Sequence, residues 1–150
     1  MNKRGIEIVN GVFIFGSISL YFFIMELVGL SDKSYLRFLN IIIVIYFVNR
    51  TIRQIITAGK GGYFSNFGSA IITSSIGVVL GIIGLSIYIN FWKGIDYVSE
   101  LSAPIIGIGV EDLTMLEYCF ALFAEGLASS VVVSFIIMQY WKNRRVPKQK

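Results

Sequence analysis

The sequence predicts an all-α membrane protein, a four-helix up-down-up-down transmembrane bundle. Three observations carry that expectation. Of 150 residues, 55% are hydrophobic and 15% charged, whereas soluble domains carry about a quarter of their residues as charges. The mean hydropathy is +0.74, which places the chain in the membrane class. Four continuous apolar runs each reach the roughly 20 residues a helix needs to cross the hydrocarbon core. They lack the alternation, in segments of about ten residues, that marks the strands of a membrane barrel.

The first run covers residues 8–30. The basic MNKRG ahead of it looks like the start of a secretion signal, but the apolar stretch is longer than a signal core of roughly 7–15 residues and no A-x-A-like site follows, so a retained span is expected. The second run covers 35–56, the third 67–92 and the fourth 113–141, all within a single transmembrane domain, 1–150. SDKS turns the first hairpin and AGKGG the second, where glycines permit a tight reversal. The connection from Lys93 to Asp112 is longer. Its GIDYVSELSAP reads as a short surface helix with Ile95, Val98 and Leu101 on one side, ended by Pro104. No segment outside the runs is large enough for a catalytic domain.

Lys3, Arg4, Arg50, Arg53, Lys60, Lys142, Arg144, Arg145, Lys148 and Lys150 fall on one side of such a bundle, and Lys33, Arg37 and Lys93 on the other. The rich side is expected in the cytoplasm, with both termini there and the 93–112 loop, carrying Asp96, Glu100, Glu111 and Asp112, outside. Trp92 and Trp141 fall at the expected interfaces, where amphipathic rings settle. Arg50, Arg53, Arg144 and Arg145 are expected to snorkel to lipid headgroups. The KNRRVPKQK tail attracts anionic lipid at about 1 kcal/mol per basic residue near the surface. No aromatic-rich or folded surface accompanies the tail, so nucleic acid is not an expected partner.

There is no histidine, and Cys119 is the one cysteine. That excludes an internal disulfide and a cysteine metal cluster, and removes the commonest metal ligand and general base near neutral pH. No catalytic residue, metal or cofactor is expected, and the chain does not read as an enzyme.

Lipid is as apolar as leucine, so helices associate in it through small residues that let backbones approach. The third run has Ala70, Ser74, Gly77, Gly81 and Gly84 at three- and four-residue steps, and the fourth has Ala121, Ala124, Ala128 and Ser129. These two helices are expected to touch, with Gly77, Gly81, Gly84, Ala121 and Ala128 at the contact. A second copy of the chain is the alternative partner for the same stripes.

The polar residues inside the runs raise the functional question. In CFALFAEGLASSVVV, Glu125 comes out near the midplane, level with Tyr46, Ser17 and Ser19. At about 1.5 Å per residue, Glu26, Asn40 and Glu117 lie roughly 10 Å outward of it, and Asn90 a little further. A carboxylate at the midplane costs several kcal/mol even on gentle scales, so it is expected to face protein or water. In a structural reading, Glu125 donates a hydrogen bond to a neighbouring helix, while Glu26 and Glu117 reach Arg37, Lys93 or headgroups. In a functional reading, Glu125, Glu117, Glu26, Asn40 and Tyr46 line a path for protons or cations. The inner half then offers only Asn10, Asn49, Ser74 and Ser75, and Arg50 and Arg53 at its mouth would repel cations.

The stretch Gly61–Phe91 opens on Gly61, Gly62, Tyr63, Phe64, Ser65, Phe67 and Gly68, with Asn66 standing between the serine and the phenylalanine. It resembles a domain-of-unknown-function family of small bacterial four-span membrane proteins, whose third helix opens on a similar Gly-Gly-Tyr-aliphatic-Ser-Phe-Gly pattern. Gly126–Lys148 is similar to that family's last helix and basic end. The resemblance implies a bacterial inner-membrane protein of four helices and no catalytic residue. The expected function is that of a small, non-enzymatic integral membrane protein, a structural or accessory subunit. Its partners would be lipids and either itself or a larger membrane complex. The alternative is a small homo-oligomeric channel or transporter for protons or cations.

Overall fold

Helix formation continues past the apolar runs wherever polar residues keep good helix propensity. The computed structural model describes residues 2–30, 36, 38–59, 61–94, 96–98 and 114–142. Four long helices fill them: α1 Lys3–Leu27, α2 Leu39–Thr57, α3 Tyr63–Tyr88 and α4 Met115–Lys142. A π-helical turn, Ile89–Lys93, extends α3. All four are long and apolar enough to cross a membrane, and they make the expected all-α bundle, with no strand among the described residues. We call the end that carries Lys3 and Lys142 the terminal end and the other the distal end.

The ends of the helices show why the boundaries moved. α1 starts at Lys3 rather than Ile8, because Asn2 caps it, its side chain accepting from the Lys3 amide at 2.7 Å. Lys3, Arg4 and Glu7 interrupt the apolar run but are good helix formers. α3 starts directly after Gly62; Gly61 has φ +85°, and a Cβ there would collide with Asn66 Oδ1. α4 begins on a reciprocal capping box. The Glu117 carboxylate accepts from the Thr114 amide at 2.9 Å and from its hydroxyl at 2.7 Å, and the Thr114 hydroxyl accepts from the Glu117 amide at 3.4 Å.

α1 and α3 interlock through small residues. A Cβ on Gly11 would lie 2.6 Å from Ile76, and one on Gly77 would lie 2.5 Å from Ile14; Gly84 receives the ring of Phe15. The two glycines thus admit each other's neighbouring isoleucines. This corrects the expected pairing: Gly77 and Gly84 serve α1, not α4, and Gly81 has no atom within 4 Å of its would-be Cβ. α3 and α4 do touch, but through Gly126, whose Cβ would lie 2.6 Å from Val78, and through Val133 and Ile137, which share the core with Ala70. Ala121, Ala124 and Ala128 are exposed and make no part of that contact.

The main core joins Ile14, Val48, Ile52, Ala70, Val133, Ile137 and Met138. A second cluster at the distal end joins Ile89, Tyr97, Val98 and Tyr118. Tyr97 and Val98 belong to a helical turn at 96–98, part of the expected surface helix; Ile95, Leu101 and Pro104 lie outside the described residues, as do Lys33, Arg37, Lys60, Glu100, Glu111, Asp112, Arg144, Arg145, Lys148 and Lys150. Trp92 is 81% exposed at the distal end. Trp141, in the last turn of α4, packs against the core, and its indole N–H donates to Asn49 Oδ1 at 2.7 Å, tying α4 to α2. Only about a fifth of each span is buried by the bundle, so most of the helical surface is left to lipid or to partners.

Candidate functional site

Three polar regions are built into this frame, and they take up Glu26, Tyr46 and Glu125 of the sequence-predicted site residues. At the distal end the Glu26 carboxylate is ion-paired with Lys93. It also accepts a hydrogen bond from the Tyr97 hydroxyl at 2.5 Å. The Lys93 ammonium lies 5.0 Å over the Tyr97 ring, a cation–π contact. The π-helical turn aims Lys93 here, and Gly94, at φ +84°, closes it by donating to Ile89 O at 2.9 Å. Tyr88 meets Phe22, Phe23 and Tyr97 edge-on. The result is a clasp that fastens 96–98 onto α1 and α3. Its carboxylate and ammonium satisfy each other, as the structural reading of Glu26 requires.

The second region runs through the terminal half of the interior. Glu7, Asn10, Thr51, Asn66, Ser69, Thr73, Ser74, Ser130 and Ser134 are all buried. Asn10 donates to Ile6 O and to Gln54 Oε1, both at 2.9 Å, linking α1 to α2. Lys3 donates to Ser65 O at 2.9 Å and Ser65 Oγ at 2.6 Å, linking α1 to α3. Thr51, Ser69, Ser74 and Ser130 return their hydroxyls to backbone carbonyls one turn back, which lets a hydroxyl sit inside a bundle at little cost. Asn10 Oδ1, Asn66 Oδ1, Thr73 Oγ1 and Ser134 Oγ are buried without a hydrogen-bond partner. Toward the distal end this polar seam gives way to the buried Ile14 on α1 and Val48 on α2. Among the described residues, buried polar side chains are therefore not continuous along the axis.

The third region is on the outside. Glu125 is exposed on α4, beside the exposed Ala121, Ala124 and Ala128. Its neighbour Gly126 meets Val78, the middle residue of the span Tyr63–Lys93, which fixes Glu125 near the middle of the bundle. Among the described residues Glu125 makes no hydrogen bond to a neighbouring helix, which its structural reading requires. Tyr46 is 62% exposed, on the outside of α2, with its ring edge-on to Phe47. Arg50 is exposed on the same helix, its guanidinium 5.5 Å over the Phe13 ring. It stands seven residues, about 10 Å, before the end of α2 at Thr57, deeper than the headgroup position expected of it. Arg53 fits that expectation better: it borders a shallow groove at the terminal end with Gln54, Thr57 and Ala58.

The five predicted polar site residues do not converge. Glu26 belongs to the clasp and Glu117 to the α4 cap. Asn40 lies at the start of α2 with its Oδ1 buried and unpartnered. Tyr46 and Glu125 face outward on different helices. The seam residues Glu7, Thr51, Gln54, Asn66, Ser69 and Thr73 were missed. A readable signal was present: Asn66, Ser69 and Thr73 recur at steps of three and four, the spacing of one helical face.

Comparison with models of known families, with curated proteins and with solved structures finds no match to the chain.

Proposed function

We propose that this protein is a small, non-enzymatic integral membrane subunit that associates with another polypeptide inside the bilayer through the outward face of α4. One observation carries the reading: an ionisable residue, Glu125, lies near the middle of a membrane-spanning helix and faces away from its own bundle. Such a residue normally faces a bundle interior, a water-filled cavity or a polar partner. The own-chain interior is not available to it, and its alanine neighbours give a partner helix room to approach. The basic residues at the terminal end support a cytoplasmic position for that end. With the resemblance through Gly61–Gly68, they support a bacterial inner-membrane location. The discontinuous polar seam speaks against a path for ions through a single chain.

The test is extraction from native membranes in a mild detergent, followed by sizing and pull-down of wild type and Glu125→Leu. The wild type is expected in a particle larger than the monomer, and the variant is expected to lose most of it while staying folded. A wild type that is monomeric and carries only lipid contradicts the reading. Liposomes containing the protein are expected to stay tight to protons and sodium; a flux abolished by Glu125→Gln would put the carboxyl on a transport path instead.

A further inference from the structure

We propose that the polypeptide bound by the α4 face is a second copy of this chain, joined head to tail, with Glu125 of one copy against Arg50 and Tyr46 of the next. The inference rests on the assembly reading above and names its partner.

Depth comes first. Gln54 is bonded to Asn10; the adjacent Gly11 abuts Thr73 O and Ile76. Arg50, one turn distal of Gln54, is therefore level with about Gly77, and Glu125 adjoins Gly126 at Val78. Tyr46 is one further turn distal, about 6 Å from Arg50 along the axis. All three side chains are thus within reach of one level near the middle of the bundle.

Charge comes second. The other basic residues described, Lys3, Arg4, Arg53, Lys93 and Lys142, stand in or next to the end turns of their helices; Arg50 is the deepest among them. Neither Arg50 nor Glu125 has an ion pair or side-chain hydrogen bond among the described residues. One copy therefore presents to lipid an unpaired acid and an unpaired base at one depth. An Arg–carboxylate pair, with the Tyr46 hydroxyl as a second donor, would satisfy both.

Position comes third. α1 packs on α3 and α2, and α4 packs on α3 and α2, so α1 and α4 occupy opposite sides of the bundle. Arg50 lies over Phe13 on the α1 side of α2, where Phe13 stacks on Phe47. The acidic surface on α4 and the basic surface on the α1 side of α2 therefore lie on different sides of the bundle. Their contact is heterologous, and repeated in a membrane it generates a ring or a row. A two-fold contact of α4 with α4 would set Glu125 against Glu125 and leave Arg50 in lipid.

Charge reversal and cross-linking test this in native membranes. Glu125→Arg and Arg50→Glu are each expected to lower the oligomer fraction about tenfold, and the double variant to restore it to within about twofold of wild type. Glu125→Leu, which places an ordinary lipid-facing residue in lipid, is expected to keep its helical content and lose the oligomer; an oligomer that persists overturns the proposal. In a Cys119→Ser background, copies carrying Tyr46→Cys are expected to form disulfides with copies carrying Ala121→Cys. Disulfides formed only between two copies of Ala121→Cys would show the two-fold contact and overturn it. If wild type does not self-associate but holds a different protein that Glu125→Leu releases, the second copy is wrong and the assembly reading stands. If it holds neither, both fail.

Discussion

Two lines of small residues occupy this molecule, and the fold uses them in opposite ways. On α1 and α3, Gly11 and Gly77 each receive an isoleucine of the other helix, and the line is consumed inside the bundle. On α4, Ala121, Ala124 and Ala128 point outward with Glu125 among them. Small residues at helical spacing mark where a backbone can be approached; they do not say by what. The facing residues decide. Ile76 and Ile14 fill the notches on α1 and α3, whereas none of the described residues fills the notch on α4.

The two lines separate most clearly when the same side chain is put into both. Gly77→Leu forces methyl groups into Ile14 and is expected to destabilise the bundle by about 1–3 kcal/mol or more. Ala128→Leu is expected to change the stability of the isolated chain by less than about 0.5 kcal/mol while weakening any assembly. Denaturant titration of the helical signal in detergent reads both. Equal losses would mean that α4's outer stripe is packed within the chain.

The next effect concerns the distal clasp, where the polar groups are already satisfied within the chain. Tyr97→Phe removes one hydrogen bond to Glu26 and is expected to lower stability by about 1 kcal/mol, with no change in particle size. A change in size would move the clasp from the interior account to the contact surface. The α4 cap behaves likewise. Thr114→Ala is expected to cost about 1 kcal/mol. Glu117→Gln, which keeps an acceptor for the Thr114 amide, is expected to cost less, about 0.5 kcal/mol. If Glu117→Gln leaves stability alone but alters assembly or flux, Glu117 belongs with Glu125 after all.

The four spans were legible because a run of about 20 apolar residues has few alternatives. Their ends were less so. Lys3, Arg4 and Glu7 interrupt hydropathy without interrupting the helix, so the buried Glu7 was left outside the first span. Thr114-x-x-Glu117 is a capping box that could be read from spacing alone. It explains a carboxylate that depth arithmetic had assigned to the membrane interior. The seam was obscured because Thr51, Ser69 and Thr73 are nearly neutral in hydropathy, and Thr51 and Ser69 bond back to their own helices. What no single span could reveal is direction. Glu125 shares its helix with Gly126, and one packs on α3 while the other faces away; only the placement of α3 decides which. Arg50 posed the same problem, because its position over Phe13 depends on how α1 crosses α2.

The most direct test of the central claim is a photo-activated cross-linker at position 124, compared in native membranes with one at position 83, on the outside of α3. The expected result is a polypeptide adduct from position 124, lost on introducing Glu125→Leu, and lipid adducts alone from position 83. Lipid adducts alone from both positions would contradict it, and α4 would then carry its carboxylate into lipid with no partner.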